Sequence, residues 1–293
     1  MRASIGFAKK FSYTILLIAL IHCLTACKSY NAKNSSETTG TIKTGAANYP
    51  HDTLKTDIAD PIRDTTFTYD STKKYVYFTF DDGPQPGTMN CFHIVREFNV
   101  KASFFMIGVQ IDNENLRKRV DSIRESYPEI LLCNHSYTHA NFNHYKAYYA
   151  NADSAARDVI KAQSSMQVPL KIFRTPANNS WNINGRVRSP QLTKQLCYLL
   201  SNAGYQVAGW DVEWTFGSGT IPVQSADRMI KEIEHAFNSN TNFVHNNVVI
   251  LTHDRMFKRP QYADSLRKVI TALKKDTGIV FETMDHYPGI WHK

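Results

Sequence analysis

From Lys74 onward, short β-favouring runs alternate with stretches of helical period, and this alternation restricts the chain more than any other feature. Strand-like runs fall at 75–80, 102–107, 130–134, 171–174, 206–211, 248–252 and 280–283. Among the helical stretches, Ala226, Met229, Ile230, Ile233 and Phe237 keep one apolar face, as do Ala263, Leu266, Val269, Ile270 and Leu273. Ser189 before Pro190 reads as an N-cap with proline at the first helical position, and Gly204 as the stop of that helix. Seven strands separated by helices predict a parallel α/β architecture, and about 220 residues suit one barrel-like domain better than two. Chemistry is then expected at the C-terminal ends of the strands.

Reactive residues do stand there. The first strand ends in Asp81-Asp82-Gly83-Pro84, which alone reads equally as a turn cap. The third runs into His135-Ser136-Tyr137-Thr138-His139; on a helical turn, residues i and i+4 share a face, where two imidazoles can hold one metal ion. One carboxylate with two imidazoles makes a three-ligand site with open positions, and the neighbouring carboxylate can act as base on water there. The fourth strand ends in Arg174, able to pair with that base, and the sixth in His253, placed to protonate a leaving group. Taken singly, Arg174 reads as a surface ion pair and His253 as a core histidine.

Five motifs in order resemble the polysaccharide deacetylases with the NodB homology domain, carbohydrate esterase family 4: TFDDGP at 79–84, HSYTH at 135–139, RTP at 174–176, WDVEW at 210–214 and LTH at 251–253. The resemblance covers about 74–286 and implies a distorted (β/α)7 barrel as a single catalytic α/β domain over 73–293. It implies that Asp82, His135 and His139 bind a divalent metal, usually zinc, with cobalt, nickel or manganese as substitutes. Asp81 would be the general base, Arg174 its orienting partner and His253 the general acid. Leu251 would line a pocket for the acetyl methyl, and the Ala177 N–H would help stabilise the oxyanion.

The sequence departs from the family pattern in two places. Ala177 stands where the family usually has tyrosine, and Trp181 is a candidate replacement as a sugar-stacking platform or a residue packed on the rim. Glu213-Trp214 stands where Asp-Trp is usual, with Asp211 two residues earlier; strand alternation would put 211 and 213 on one side, so either could hold His253 in its tautomer. Tyr137, Phe142, His144, Tyr145, Tyr148 and Tyr149 crowd the segment after the second motif, as a sugar-binding rim or a packing cluster. Cys133 reads as a small buried residue.

The N-terminus has its own logic. Arg2, Lys9 and Lys10 precede an apolar run too short to span a bilayer, and Leu24-Thr25-Ala26-Cys27 resembles a bacterial lipobox. The expectation is a lipoprotein signal peptide over 1–26, lipidation of Cys27 and a polar tether over 27–72. The protein would then sit in the cell envelope, anchored to a membrane on a periplasmic or surface face. The net charge of +8 falls by three when the signal is removed, a mild excess that suggests no nucleic acid. No partner protein is predicted, and Cys91, Cys133 and Cys197, an odd number, imply no complete disulfide framework.

Three functions compete at this point: an N-deacetylase of an N-acetylglucosamine-containing polysaccharide such as peptidoglycan, an O-acetyl esterase on xylan-type glycans, and a non-catalytic carbohydrate-binding lipoprotein. Retention of the base, the acid and all three metal ligands favours the first two.

Overall fold

The computed structural model describes residues 64–239 and 241–290. Signal peptide, Cys27 and most of the tether lie outside the described residues. Within them the chain runs β1 (Lys74–Gly83), α1 (Thr88–Glu97), β2 (Ala102–Met106), α2 (Glu114–Arg124) and β3 (Ile130–Asn134). A short turn α3 (His139–Asn143), α4 (Tyr145–Ala150), α5 (Ala152–Ser165) and β4 (Ile172–Phe173) follow. Next come β5 (Trp181–Ile183), β6 (Arg186–Arg188), α6 (Gln191–Asn202), β7 (Gln206–Val207) and β8 (Val212–Glu213). The last elements are α7 (Ala226–Asn238), β9 (Asn247–His253), α8 (Pro260–Leu273) and β10 (Ile279–Phe281).

The strands form one curled sheet ordered β6-β5-β7-β4-β3-β2-β1-β9-β8, with β10 paired to the first residues of β1. Its centre is parallel, as the alternation predicts, because each crossover between neighbours carries a helix. The sheet is nevertheless mixed, since β5 pairs antiparallel with both β6 and β7. Asn184 and Gly185 turn the β5–β6 hairpin with φ of 49° and 79°, the left-handed pair that a two-residue hairpin loop favours. The expected strands at 171–174 and 206–211 shrink to two-residue ladders as the sheet curls.

β1 sets the layers. Val76, Phe78 and Phe80 pack outward beneath α1, α7 and α8, whereas Tyr75 and Tyr77 face the barrel interior with Phe105, Leu131 and Val249. The buried faces of α7 and α8 include Met229, Ile233 and Phe237, and Leu266, Val269 and Ile270, at the spacing the sequence sets out. Ser225 caps α7 by accepting from the Arg228 N–H. The N-cap of α6 is Pro190 rather than Ser189, whose hydroxyl donates instead to the Trp181 carbonyl.

Residues 64–72, expected to belong to the tether, rest on the barrel wall. The Phe67 ring stacks on His286 with centroids 4.0 Å apart, Tyr69 stacks on Tyr75, and the Asp64 N–H donates to the Tyr127 hydroxyl. Apolar contact of this kind brings the folded region several residues N-terminal of position 73.

Candidate active site

A regular strand would send Asp81 and Asp82 to opposite faces. The ladder between β1 and β2 slips between Asp81 and Gly83, and Asp82 sits in the left-handed region at φ 74°. This bulge swings the second carboxylate round, so both acids face one cleft at the C-terminal edge of the sheet. Gly83 permits the turn, because a Cβ there would lie 2.6 Å from Asp254 Oδ2.

His135 follows β3 directly, and His139 opens α3. The expected right-handed helical face does not form: five consecutive residues, His139 to Asn143, hold φ between 51° and 71°. Left-handed backbone costs about 1–2 kcal/mol per non-glycine residue, so side chains must hold this turn. Ser136 Oγ accepts from the Ala140 N–H and Thr138 Oγ1 from that of Asn141, while Asp158 Oδ2 takes the N–H groups of Tyr137 and Thr138.

The result is convergence. His139 Nε2 lies 3.0 Å and His135 Nε2 3.3 Å from Asp82 Oδ1. Each ring has its other nitrogen engaged: His135 Nδ1–H donates to the Arg174 carbonyl at 3.0 Å, and His139 Nδ1–H to Asn143 Oδ1 at 2.6 Å. Both Nε2 atoms therefore present their lone pairs to the same point, the preparation usual for metal-ligating imidazoles. Asp82 Oδ1 is buried without a hydrogen-bond partner, and the three ligand atoms lie within 4.8 Å of one another. This donor set of two imidazole nitrogens and a carboxylate oxygen fits a divalent ion with positions left for water and substrate. Burial opposes ionisation of Asp82, yet the close imidazoles of His135 and His139 outweigh it and hold its carboxyl well below the usual range. Replacing Asn143 with Ala frees the His139 ring, and zinc affinity measured by competition with a chelating dye is expected to fall by about 10–100-fold; unchanged affinity would exclude this positioning role.

Arg174 is fully buried. Its Nη1 donates to Asp81 Oδ1 at 2.9 Å and to Thr79 Oγ1 at 2.6 Å, while Nε and Nη2 donate to the carbonyls of Ala208 and Gly209. Four acceptors fix the guanidinium, and through it the Asp81 carboxylate. Cross-strand register places His253 of β9 beside Asp81, with His253 Nε2 3.8 Å from Asp82 Oδ2. Burial favours the neutral ring of His253 and lowers its proton affinity against the pull of Asp82 and Asp81.

Neither carboxylate expected to orient His253 does so. Asp211 turns away and accepts from the N–H groups of Phe243 and Val249, because β8 begins only at Val212 and strand alternation does not reach residue 211. Glu213 lines the cleft but makes no hydrogen bond to His253, whose Nδ1 is buried and unpartnered; the ring instead meets Phe216 edge-on at 4.9 Å.

The cleft encloses about 620 Å³, and Ala177 and Leu251 line it as expected positions. Trp181, Trp214 and Tyr137 do not line it. Trp181 is fully buried in the β5–β6 hairpin, stacked on Phe243 at 4.5 Å. Trp214 is core, donating to the Gln224 carbonyl, and Tyr137 packs over Gly108 beneath Lys161. Tyr148 and Tyr149 are buried, whereas Phe142 and Tyr145 reach the cleft. Trp210, Phe216 and Arg255 also line it, and sequence reasoning passed over all three. Arg255 Nη2 donates to Asp82 Oδ2 at 2.7 Å, leaving Oδ1 as the ligand atom. Cys133 is buried, as the sequence suggests, and so are Cys91 and Cys197.

Comparison with known proteins agrees with this geometry. A family model for polysaccharide deacetylases matches residues 68–208. The chain is similar to a peptidoglycan-N-acetylglucosamine deacetylase of Bacillus cereus, 27% identical over 229 residues that cover 75% of this chain and 74% of that protein. It is also similar to a chitin disaccharide deacetylase of Vibrio alginolyticus, at 22% identity over 77% of this chain and 74% of the other. Among solved structures, a CE4 esterase of Streptococcus mutans superposes with a TM-score of 0.55 at 20% identity, over 72% of this chain and 86% of that one, a likeness of fold.

Proposed function

We propose that the chain, which a family model for polysaccharide deacetylases matches over residues 68–208, removes N-acetyl groups from a glycan built on N-acetylglucosamine, with peptidoglycan the favoured polymer. The observation that carries this reading is the convergence of Asp82 Oδ1, His135 Nε2 and His139 Nε2 beside a second, arginine-paired carboxylate. These three residues would hold a divalent metal, zinc by the chemistry of the donor set. When bound, such an ion polarises an acetyl carbonyl and acidifies water.

The remaining steps belong to the chain. Asp81, held by Arg174, takes a proton from the attacking water as the oxygen adds to the acetyl carbon. Ala177, with φ 59°, lines the cleft and its N–H has no acceptor among the described residues, which suits it to donate to the developing oxyanion. His253, which must first be protonated because burial favours its neutral ring, delivers that proton to the departing amine, and collapse of the tetrahedral carbon gives acetate and a free amino sugar. No serine or cysteine nucleophile is required.

The test is acetate release by the zinc-loaded protein from peptidoglycan, chitin oligomers and acetylated xylan side by side. Acetate from an N-acetylated substrate is expected; acetate from xylan alone would replace this reading with an O-acetyl esterase.

We further propose lipid anchoring through Cys27 in the cell envelope, supported by the lipobox-like Leu24-Thr25-Ala26-Cys27. Metabolic labelling with a palmitate analogue is expected to mark the wild type and not Cys27→Ser. Label retained on the variant would contradict the anchor.

A further inference from the structure

The turn α3 does two things with one backbone. It fixes His139 at the metal site, and three residues later it carries Phe142 into solvent, 60% exposed. Among the described residues, the other exposed large hydrophobic side chains are Leu192, Tyr198, Ile221 and Val223, and none of these lines the cleft; Phe142 does. Phe142 belongs to none of the core clusters and is not one of the side chains packed against them, so its ring is available to a ligand.

Sheet order shows where it stands relative to the chemistry. Asp82 comes from β1, in the middle of the floor. Phe142 follows β3, two strands to one side; Phe216 follows β8, two strands to the other, and Trp210 lies beside it just before β8. The Phe216 ring meets His253 at 4.9 Å, against the reacting groups, whereas Phe142 stands on the β3 side with its ring exposed at the mouth of the cleft. Charged and hydrogen-bonding side chains share the lining with Ile107, Val109 and Leu251, and Phe142 is the most exposed ring of that lining.

We propose that Phe142 is a specificity-determining residue that stacks on the C–H face of the pyranose ring next to the one losing its acetyl group, so that the cleft selects an oligomeric glycan over a single N-acetylated sugar. The proposal rests on the glycan deacetylase reading and deepens it. The ring is held by a turn that is itself pinned by Thr138 and by the Asn143–His139 bond, so stacking requires little ordering on binding. Exposure makes the position replaceable without harm to the core.

The experiment compares zinc-loaded full-length wild type, Phe142→Ala and Phe142→Trp on three probes: an N-acetylglucosamine hexamer or peptidoglycan, whichever the wild type turns over faster; N-acetylglucosamine itself; and 4-nitrophenyl acetate. For Phe142→Ala, KM on the polymeric probe is expected to rise roughly tenfold, the effect of losing one good apolar contact, with kcat, zinc affinity and ester hydrolysis unchanged. Phe142→Trp is expected to restore KM. An unchanged KM in Phe142→Ala overturns the proposal, as does a parallel loss of ester hydrolysis, which would mark Phe142 as a support of the metal turn. Wild type that cleaves the ester but releases acetate from no glycan overturns the glycan reading, and this proposal with it.

Discussion

Asp81→Asn is expected to retain its metal and to lose about two to four orders of magnitude in turnover, the usual scale for removal of a general base. The amide is isosteric and can still accept from Arg174 Nη1 through its oxygen, so the buried arginine keeps a partner. The ligand atoms are untouched, since His135 and His139 both point their Nε2 atoms at Asp82 Oδ1. What disappears is the capacity to take a proton from water. Kinetics of acetate release with metal content measured on the same sample separate the two effects. Normal turnover would remove Asp81 from the mechanism, and loss of metal along with turnover would make it a ligand.

Arg174→Met is expected to damage both stability and activity, for one reason. The guanidinium is the only cation hydrogen-bonded to Asp81 among the described residues, and both side chains are almost completely buried. Breaking a buried pair leaves a charge without compensation and costs about 3–5 kcal/mol, which for a domain of this size lowers Tm by roughly 6–20 °C. Thr79 Oγ1 and the carbonyls of Ala208 and Gly209 lose their donor as well. The double variant Arg174→Met/Asp81→Asn should recover part of the lost stability, because the stranded charge is then gone, while activity stays at the level of Asp81→Asn. Calorimetry on the four proteins of this cycle measures the coupling. Strictly additive losses would mean that Arg174 acts as packing and that its bond to Asp81 contributes little.

How far the sequence leads can be followed residue by residue. β-favouring runs with helices between them predict the parallel centre of the sheet, and the residues at strand ends are the ones that meet in the cleft: Asp81 and Asp82 after β1, His135 after β3, Arg174 after β4, His253 at the end of β9. Local backbone was the weak link. The spacing of His135 and His139 suggests a right-handed turn, while the real one is left-handed and depends on Ser136, Thr138 and Asp158, bonds that no periodicity encodes. The β5–β6 hairpin did carry a signal, Asn184-Gly185 between two short β-favouring runs, and reading it would have placed Trp181 in the core. Asp211 and Glu213 part ways because the strand there is only two residues long. Arg255 had no signal: an arginine two residues after a histidine is chemically unremarkable until the fold brings it 2.7 Å from Asp82.

The burial of Asp254 behind this site suits the same economy of charge. It accepts from Gln85 and Thr88, and burial pushes its carboxyl up to about 8, so near neutral pH it is largely protonated and adds little negative charge to the cavity holding Asp81 and Asp82.

The central claim is that one divalent ion, held by Asp82, His135 and His139, is required for deacetylation by this chain. The most direct measurement strips the protein with chelator, titrates zinc back, and follows metal bound and acetate released from an N-acetylated glycan in the same samples. Acetate release rising in proportion to bound zinc and levelling at one ion per chain is the expected result, with His139→Ala failing at both. Full acetate release from the stripped protein, or from His139→Ala with no metal bound, would contradict the account.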